Sequence, residues 1–398
     1  MSAYGTRRAV IIGCGIAGPA LGIFLRRIGF DVVICERRTS EALDEGLFLG
    51  VAPNGMNVLA ELGVDQALGA VGVPCRRFEF RNARDRVIGV IDREDDAARF
   101  GARLQMVRRS DLHRVLADAA RAAGVRVEFG RTLTAIDRST DASVTAHFAD
   151  GSHEQGDILI GADGIRSDTR RLVLPDAPEP EWSGLFDCGG ITNTATVGFP
   201  AGVNVMVFGR RAFFGAFRTP SGQVWWFQNC SQKPADHALR NPLALRAHAA
   251  SLHHGDPSWI RHVIESTGRI VGPFPLHDIL FMPRWHDGRV CLAGDAAHAT
   301  TPSSGQGASL ALEDAMVLAQ CLRDARSPEL AFEAFERARR QRVQTIVRQS
   351  RRAGNTKAVP NRALEWVRDR LLPIFLRLGA AAQERQYAYR IDWTHRFA

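Results

Sequence analysis

Ala9-Val-Ile-Ile-Gly13-Cys14-Gly15-Ile16-Ala17-Gly18 decides the fold. A short apolar run of strand length ends on the pattern GxGxxG and opens onto a helical stretch, Pro19 to Ile28, before a second apolar run, Asp31-Val-Val-Ile-Cys-Glu36. That order is a βαβ unit of about 30 residues, the context in which the glycine pattern acquires meaning. Gly13 permits the tight turn, Gly15 lets the backbone approach a pyrophosphate, and Gly18 lets the helix pack closely on the strand, with Ala17 in the same turn. The helix N-terminus favours phosphate charge. Glu36, eighteen residues after Gly18, closes the second strand, where its carboxylate can accept hydrogen bonds from a ribose diol. An adenine dinucleotide is implied, with FAD and NAD both open. Arg37 and Arg38 follow and would suit the 2′-phosphate of NADP, but a glutamate in the diol position argues against it.

The rest of the chain bounds the answer. Its 398 residues allow two substantial domains, and 45% hydrophobic with 24% charged residues is the balance of an ordinary soluble globular protein. No signal peptide precedes the first strand and no run approaches the ~18 apolar residues of a membrane span. Seven cysteines, at 14, 35, 75, 188, 230, 291 and 321, form no CxxC pair, so neither zinc cage nor disulfide framework is indicated. A cytoplasmic protein without a metal is expected. The net charge of +8 is mostly arginine, with Lys only at 233 and 357. Its spread along the chain favours solvated charge over a nucleic-acid partner.

Along the chain, a helix over Pro53 to Leu62 follows a glycine-containing loop, Gly46 to Gly50. Residues 76 to 100 alternate as strands of a second sheet. A helix begins at Ser110 as N-cap, with Leu112, Val115, Leu116 and Ala119 on one face, and ends at Gly124 before the strand Val125 to Phe129. Between about 176 and 282 strand-like runs (VNVMVF, AFFGAF, VWWFQN) are separated by turn residues. The expected architecture is therefore α/β: a discontinuous Rossmann-like domain from 1–75, 102–175 and 283–330, a mostly antiparallel substrate domain from 76–101 and 176–282, and C-terminal helices over 331–398.

Two further motifs carry chemistry. Asp157-Ile-Leu-Ile-Gly161-Ala-Asp163-Gly164-Ile-Arg166-Ser167 is a buried strand running into a polar turn. Arg289-Val-Cys-Leu-Ala-Gly294-Asp295-Ala-Ala-His298, then Pro302-Ser-Ser-Gly305-Gln306-Gly307-Ala308-Ser309, is a strand delivering one acid and a glycine-rich turn starting a helix. That helix start offers N–H groups and a positive dipole end to an electron-rich acceptor.

In these three motifs, which span residues 10 to 315, the chain resembles the class A flavoprotein monooxygenases, the para-hydroxybenzoate hydroxylase fold, whose GxGxxG, DG and GD signatures occur in the same order. The resemblance implies that Glu36 binds the adenosine ribose of a non-covalent FAD and Asp295 its ribityl hydroxyls. It places the turn from Pro302 through Gly305, Gln306, Gly307, Ala308 and Ser309 at the pyrimidine end of the isoalloxazine. Arg109, in Arg-x-x-Leu112-x-x-x-Leu116, looks like the family's phosphate-side arginine. Leu133 resembles its backbone contact to adenine, and Asp163 its bridge between pyrophosphate and nicotinamide path. Gly46 and Leu47 resemble the mobile loop over the flavin. The ending Tyr387 to Trp393 looks like the compact branch, without a thioredoxin-like C-terminal domain, which includes urate and salicylate-type hydroxylases and tailoring oxygenases of antibiotic pathways.

A single GxGxxG leaves no second Rossmann domain, so NADPH or NADH would dock transiently. The resemblance then implies insertion of one atom of O2 into an aromatic or polyketide-like molecule through a flavin C4a-hydroperoxide. A dehydrogenase or oxidase without oxygen insertion, and a non-catalytic FAD-binding protein, stay open, because the motifs speak to flavin before they speak to oxygen. Halogenases lose ground because Trp225-Trp226-Phe227 does not match WxWxIP. No catalytic base is assigned: His298 is favoured as a structural hydrogen bond to its loop. Leu47, Phe213, Phe217 and Trp226 are the candidates for the substrate wall, against plain sheet core. The C-terminal arginines 337, 339, 340, 342, 348, 351 and 352 are expected to form a solvated face, in a monomer or homodimer.

Overall fold

A computed structural model describes residues 7–40, 47–193, 197–231, 241–355 and 362–397. Gly46 of the expected flavin loop lies outside them. The first βαβ unit forms as read: strand Arg8–Ile12, helix Ala17–Arg27, strand Asp31–Glu36. These strands enter a six-stranded sheet in the order His286–Asp287, Val290–Leu292, Ile158–Gly161, Arg8–Ile12, Asp31–Glu36, Arg126–Phe129, parallel except at the first pair. Parallel strands covered on both faces read as continuous apolar runs, and Ala9–Ile12, Val32–Cys35 and Ile158–Ile160 are all buried. The helix starts two residues before Pro19 because proline is tolerated in a first turn, where the N–H groups have no intrahelical acceptor.

Two local expectations are corrected. The loop Gly46 to Gly50 contains the start of a strand, Phe48–Val51, paired antiparallel with Gln105–Arg108. That second strand runs straight into the helix Arg109–Ala122, so Ser110 is inside the helix and no side chain caps it. A capping serine is needed where a helix leaves a loop; here the extended Arg108 supplies the change of direction.

The second sheet has seven strands in the order Ile270–Asp278, Glu181–Thr192, Val224–Cys230, Ala212–Arg218, Val203–Phe208, Arg77–Asn82, Val87–Asp92. All neighbours are antiparallel except Val203–Phe208 with Arg77–Asn82. Alternation gives it two unlike faces. Val205, Phe214, Ala216, Val224 and Trp226 pack with Ile260, Val263 and Ile264 of the helix Ser258–Glu265. Met206, Phe217, Trp225 and Phe227 point the other way and meet Phe48 and Phe213.

The last helices, Pro328–Asn355 and Arg362–Tyr387, lead to a tail that turns back. Trp393 stacks on Phe24 of the first helix at 5.0 Å, and the Asp392 carbonyl accepts from Gln320 Nε2 at 2.7 Å. The arginines expected to be one solvated face divide. Arg337, Arg348 and Arg352 are exposed, but Arg339 is fully buried, giving 2.6 Å to Glu313 and 2.8 Å to Asp314 of the helix Gly307–Asp324. Arg342 also reaches Glu313, at 2.7 Å, and Arg351 pairs with Asp278. A charge run on a helix is solvated only where no partner helix carries the opposite charges.

Candidate functional site

The three motifs converge at the C-terminal edge of the parallel sheet, where open α/β sheets bind ligands. Gly13 has φ +106° and lies against the strand end at Ala162, where a Cβ would stand 2.5 Å from the Ala162 carbonyl. A Cβ on Gly18 would sit 2.1 Å from the Gly13 carbonyl, so helix and turn touch backbone to backbone. Gly15 differs: nothing lies within 4 Å of where its side chain would be, and its N–H meets no acceptor among the described residues. Gly294, at φ +61°, brings the end of the strand Val290–Leu292 against Ala17 and Ala311.

Charges and polar groups follow the same geometry. Glu36 is 6% exposed; its Oε2 accepts from the Cys14 N–H at 2.7 Å and its Oε1 from the backbone N–H and Nε of Arg38, each at 3.0 Å. Burial opposes its charge, yet the Arg38 and backbone hydrogen bonds hold its pKa below the usual range. Arg37 is exposed. Asp295 has surface open to the cleft, but protein atoms crowd its carboxyl, and that desolvation raises its pKa against the pull of His298 and Arg109. Its carboxyl has no hydrogen-bond partner among the described residues, and neither has the Arg109 guanidinium. Asp163 is spent on its own turn. It accepts from Ser167 Oγ at 2.5 Å and from the Thr169 N–H and Oγ1, both at 2.9 Å, while burial raises its pKa.

In the glycine-rich turn, Pro302 and Gly305 are exposed, Gly307 and Ala308 half-buried. Gln306 is buried, accepts from Asn54 Nδ2 at 3.0 Å, and leaves Nε2 without a partner. Ser309 is buried; its Oγ accepts the Ala52 N–H at 3.2 Å and lies against Gly55. Leu133 starts the strand Leu133–Asp137 and is buried. His298 Nε2 faces Asp314 Oδ2 at 2.5 Å, so its structural bond goes to the following helix instead of to its own loop. Asp314 also accepts the Gly294 N–H at 2.9 Å and Arg339 Nε at 2.8 Å. Burial works against the Asp314 charge, but His298 and Arg339 win and bring its pKa down to about 2.

The substrate candidates separate by face. Trp226 is on the far side of the sheet, its Nε1 donating to Thr267 Oγ1 at 2.8 Å inside the helix-covered core, and is not part of the cleft. Phe213 and Phe217 share the cleft-side face but are buried within it. Leu47 reaches that face at Gly189, where a Cβ would meet its Cδ2 at 2.8 Å. Phe227, which keeps surface, lies over Gly215, where a Cβ would touch the ring at 2.2 Å, and stands 5.9 Å from Phe48. Strand alternation from Trp226 was the signal that singles out Phe227; Phe48 carried no sequence signal of its own.

This arrangement suits FAD. Among the described residues a Gly15 N–H without an acceptor, an unpaired carboxyl at Asp295, an unpaired guanidinium at Arg109 and the orphaned Gln306 Nε2 are groups that a bound dinucleotide would satisfy. Residues 6–350 match the family model described as the FAD binding domain. The chain is 32% identical over 364 residues to 3-amino-4-hydroxybenzoate 2-monooxygenase of Streptomyces cremeus, covering 89% of this chain and 88% of that one. It is 30% identical over 351 residues to the FAD-dependent urate hydroxylase of Klebsiella pneumoniae subsp. pneumoniae, covering 87% and 89%. The crystal structure of Klebsiella pneumoniae HpxO complexed with FAD and uric acid superposes with a TM-score of 0.82 at 26% identity, covering 98% of this chain and 95% of that one. The fold, the three motifs and these matches agree: the chain belongs to the FAD-dependent monooxygenases built on the FAD binding domain, the class A flavoprotein hydroxylases.

Proposed function

We propose that this enzyme is a single-component flavin monooxygenase that spends NADPH or NADH and O2 to place one oxygen atom on a small, electron-rich aromatic molecule. The observation that carries the reading is the strand Phe48–Val51: Leu47 and Phe48, at its start, lie on the aromatic face of the seven-stranded sheet, while the Leu47 carbonyl accepts the Arg109 N–H at 3.1 Å. One element thus joins the cofactor cleft to the aromatic wall. In this reading the chain divides by sheet: 1–75, 102–175 and 283–330 hold FAD, 76–101 and 176–282 select the substrate, and 331–398 brace the rest. Relatives acting on 3-amino-4-hydroxybenzoate and urate support a planar, ring-bearing substrate.

The residues divide the work. Gly15 and the start of the helix Ala17–Arg27 face the pyrophosphate with N–H groups and a positive dipole end. Glu36 takes the ribose diol, Leu133 the adenine edge, Arg109 the phosphate side and Asp295 the ribityl hydroxyls. Pro302 to Ala308 line the pyrimidine end, with Ser309 fixing that turn to Ala52. FAD, when bound, supplies the redox chemistry with the nicotinamide and with oxygen. Leu47, Phe48 and Phe227 exclude water and set the plane in which an aromatic ring lies. Neither His298 nor Asp163 is free to act as a base: His298 is held by Asp314, and Asp163 by Ser167 and Thr169.

The test is NADPH or NADH oxidation in air with 3-amino-4-hydroxybenzoate, urate and a wider set of phenols, followed by mass measurement of the product. A product heavier by one oxygen is expected. A product lighter by two hydrogens makes the enzyme a dehydrogenase, and flavin that no nicotinamide reduces with any substrate ends the monooxygenase reading.

A further inference from the structure

The glycine-rich turn is held from behind by Glu36 and by two groups to which the proposed cofactor site gives no role, Arg38 and His113. Cys14, between Gly13 and Gly15, has both of its backbone polar groups fixed. Its N–H donates to Glu36 Oε2 at 2.7 Å. Its carbonyl accepts from Arg38 Nη2 at 3.1 Å and, closer still, from His113 Nε2. His113 lies on the helix Arg109–Ala122, is 5% exposed, and has its pKa lowered by burial and by the Arg38 charge, so a neutral ring is the form present near pH 7. A carbonyl partner then requires the proton on Nε2, which stands 3.2 Å from Arg38 Nη2, the second donor converging on the same oxygen. Arg38 is itself fixed by Glu36 and keeps Nη1 buried without a partner.

The carbonyl of Cys14 and the N–H of Gly15 belong to one peptide group. A trans peptide is planar, so its C=O and N–H point in opposite directions. Pinning the Cys14 carbonyl toward Arg38 and His113 therefore aims the Gly15 N–H the other way, where it meets no acceptor among the described residues. Two donors on one carbonyl, one of them charged, also polarise the peptide and make its N–H a stronger donor. Glycine at 15 has no side chain with which to hold its own orientation, so the orientation has to come from elsewhere.

We propose that His113 and Arg38 are positioning residues for FAD: by gripping the Cys14 carbonyl they orient and strengthen the Gly15 N–H as a phosphate donor. The helix that carries Arg109 at its start thereby also sets the glycine-rich turn one helical turn further on. Both residues act at the peptide that carries the Gly15 N–H, so the effect would fall on the phosphate-bearing half of the cofactor.

The experiment is FAD release from the holoenzyme on dilution, read by the recovery of flavin fluorescence, for His113→Leu, His113→Gln and Arg38→Met. ADP and adenosine serve as competitors. Leu removes the donor, whereas Gln places an amide N–H near the position of Nε2. Expected are a roughly tenfold weaker hold on FAD for His113→Leu and Arg38→Met, matching the order of one charge-assisted or buried hydrogen bond, and recovery to within about threefold for His113→Gln. For His113→Leu, ADP should weaken by the same factor as FAD and adenosine should not, whereas Arg38→Met, which also frees Glu36, should weaken all three; the visible spectrum of bound flavin should stay unchanged. Should His113→Leu fail to fold, Arg38→Met with His113→Gln decides the matter. FAD held as tightly by the Leu and Met variants as by the unchanged protein, equal losses for adenosine and ADP in His113→Leu, or no recovery with Gln would each overturn the proposal.

Discussion

In the proposed reading the mostly parallel six-stranded sheet and the seven-stranded sheet meet their ligands by opposite means. At the edge of the first, the groups offered are largely backbone: the Gly15 N–H, a turn in which a Cβ on Gly18 would stand 2.1 Å from the Gly13 carbonyl oxygen, and the glycine-rich start of the helix Gly307–Asp324. On the second, side chains are the surface, and Phe227 is set by what lies beneath it, the bare backbone of Gly215. Backbone recognition ties the chain to one cofactor, since few sequences permit such close approaches. Side-chain recognition leaves the substrate free to differ between relatives that share the same sheet.

Breaking the cofactor edge from behind should have the largest effect. Arg339→Met leaves Glu313 and Asp314 buried without their shared cation, and breaking a buried pair in this way costs about 3–5 kcal/mol. Denaturant unfolding should show that loss, and a change under 1 kcal/mol would mean the network is not what joins the last helices to the Gly294 turn. Next come the two glycines, which set the regions against each other. Gly18→Ala forces backbone apart, an overpacking of about 1–3 kcal/mol, and should weaken FAD roughly tenfold or more. Gly215→Ala displaces only the Phe227 ring; FAD should bind unchanged while the Michaelis constant for an aromatic substrate rises. If Gly215→Ala released FAD instead, the two sheets would not be separable in function.

Acid should expose the same network more gradually. The Asp314 pKa is about 2 in the folded protein, depressed from its ordinary value of 3.8, so its contribution to stability is complete above that value and is lost as pH falls from about 4 toward 2. The difference in unfolding free energy between the protein and Asp314→Asn, followed over that interval, should shrink as the pH drops. The smallest effect belongs to Trp226→Phe. Losing the bond to Thr267 should cost about 1 kcal/mol and leave substrate kinetics alone, because the indole faces the helices. A changed Michaelis constant would return Trp226 to the cleft.

Much of the cofactor side was legible because its requirements are local. A GxGxxG between strand and helix, an acid ending the next strand, and a second acid followed by a glycine-rich helix start are each contained within a few residues. The aromatic wall was legible only as a stretch. Trp226 and Phe227 are neighbours in the chain, and alternation puts one among the helices and the other toward the cleft. Which face is which depends on the helix Ser258–Glu265 packing on one side and the strand Phe48–Val51 approaching the other. The arginine run was misread for the same reason, since Arg339 is buried only because Glu313 and Asp314 lie on a helix that packs against it.

The sequence by itself determined the βαβ unit, the dinucleotide edge and the presence of a second, mostly antiparallel sheet, because strand period, helix starts and the special backbone freedom of glycine are properties of neighbouring residues. Tertiary structure alone decided that His298 and Arg339 meet at Asp314, and that His113 stands behind Cys14. These pairings join residues 16 to 99 positions apart, and no periodicity encodes them. Only when the helices close on the sheet do their charges lose water and have to find each other.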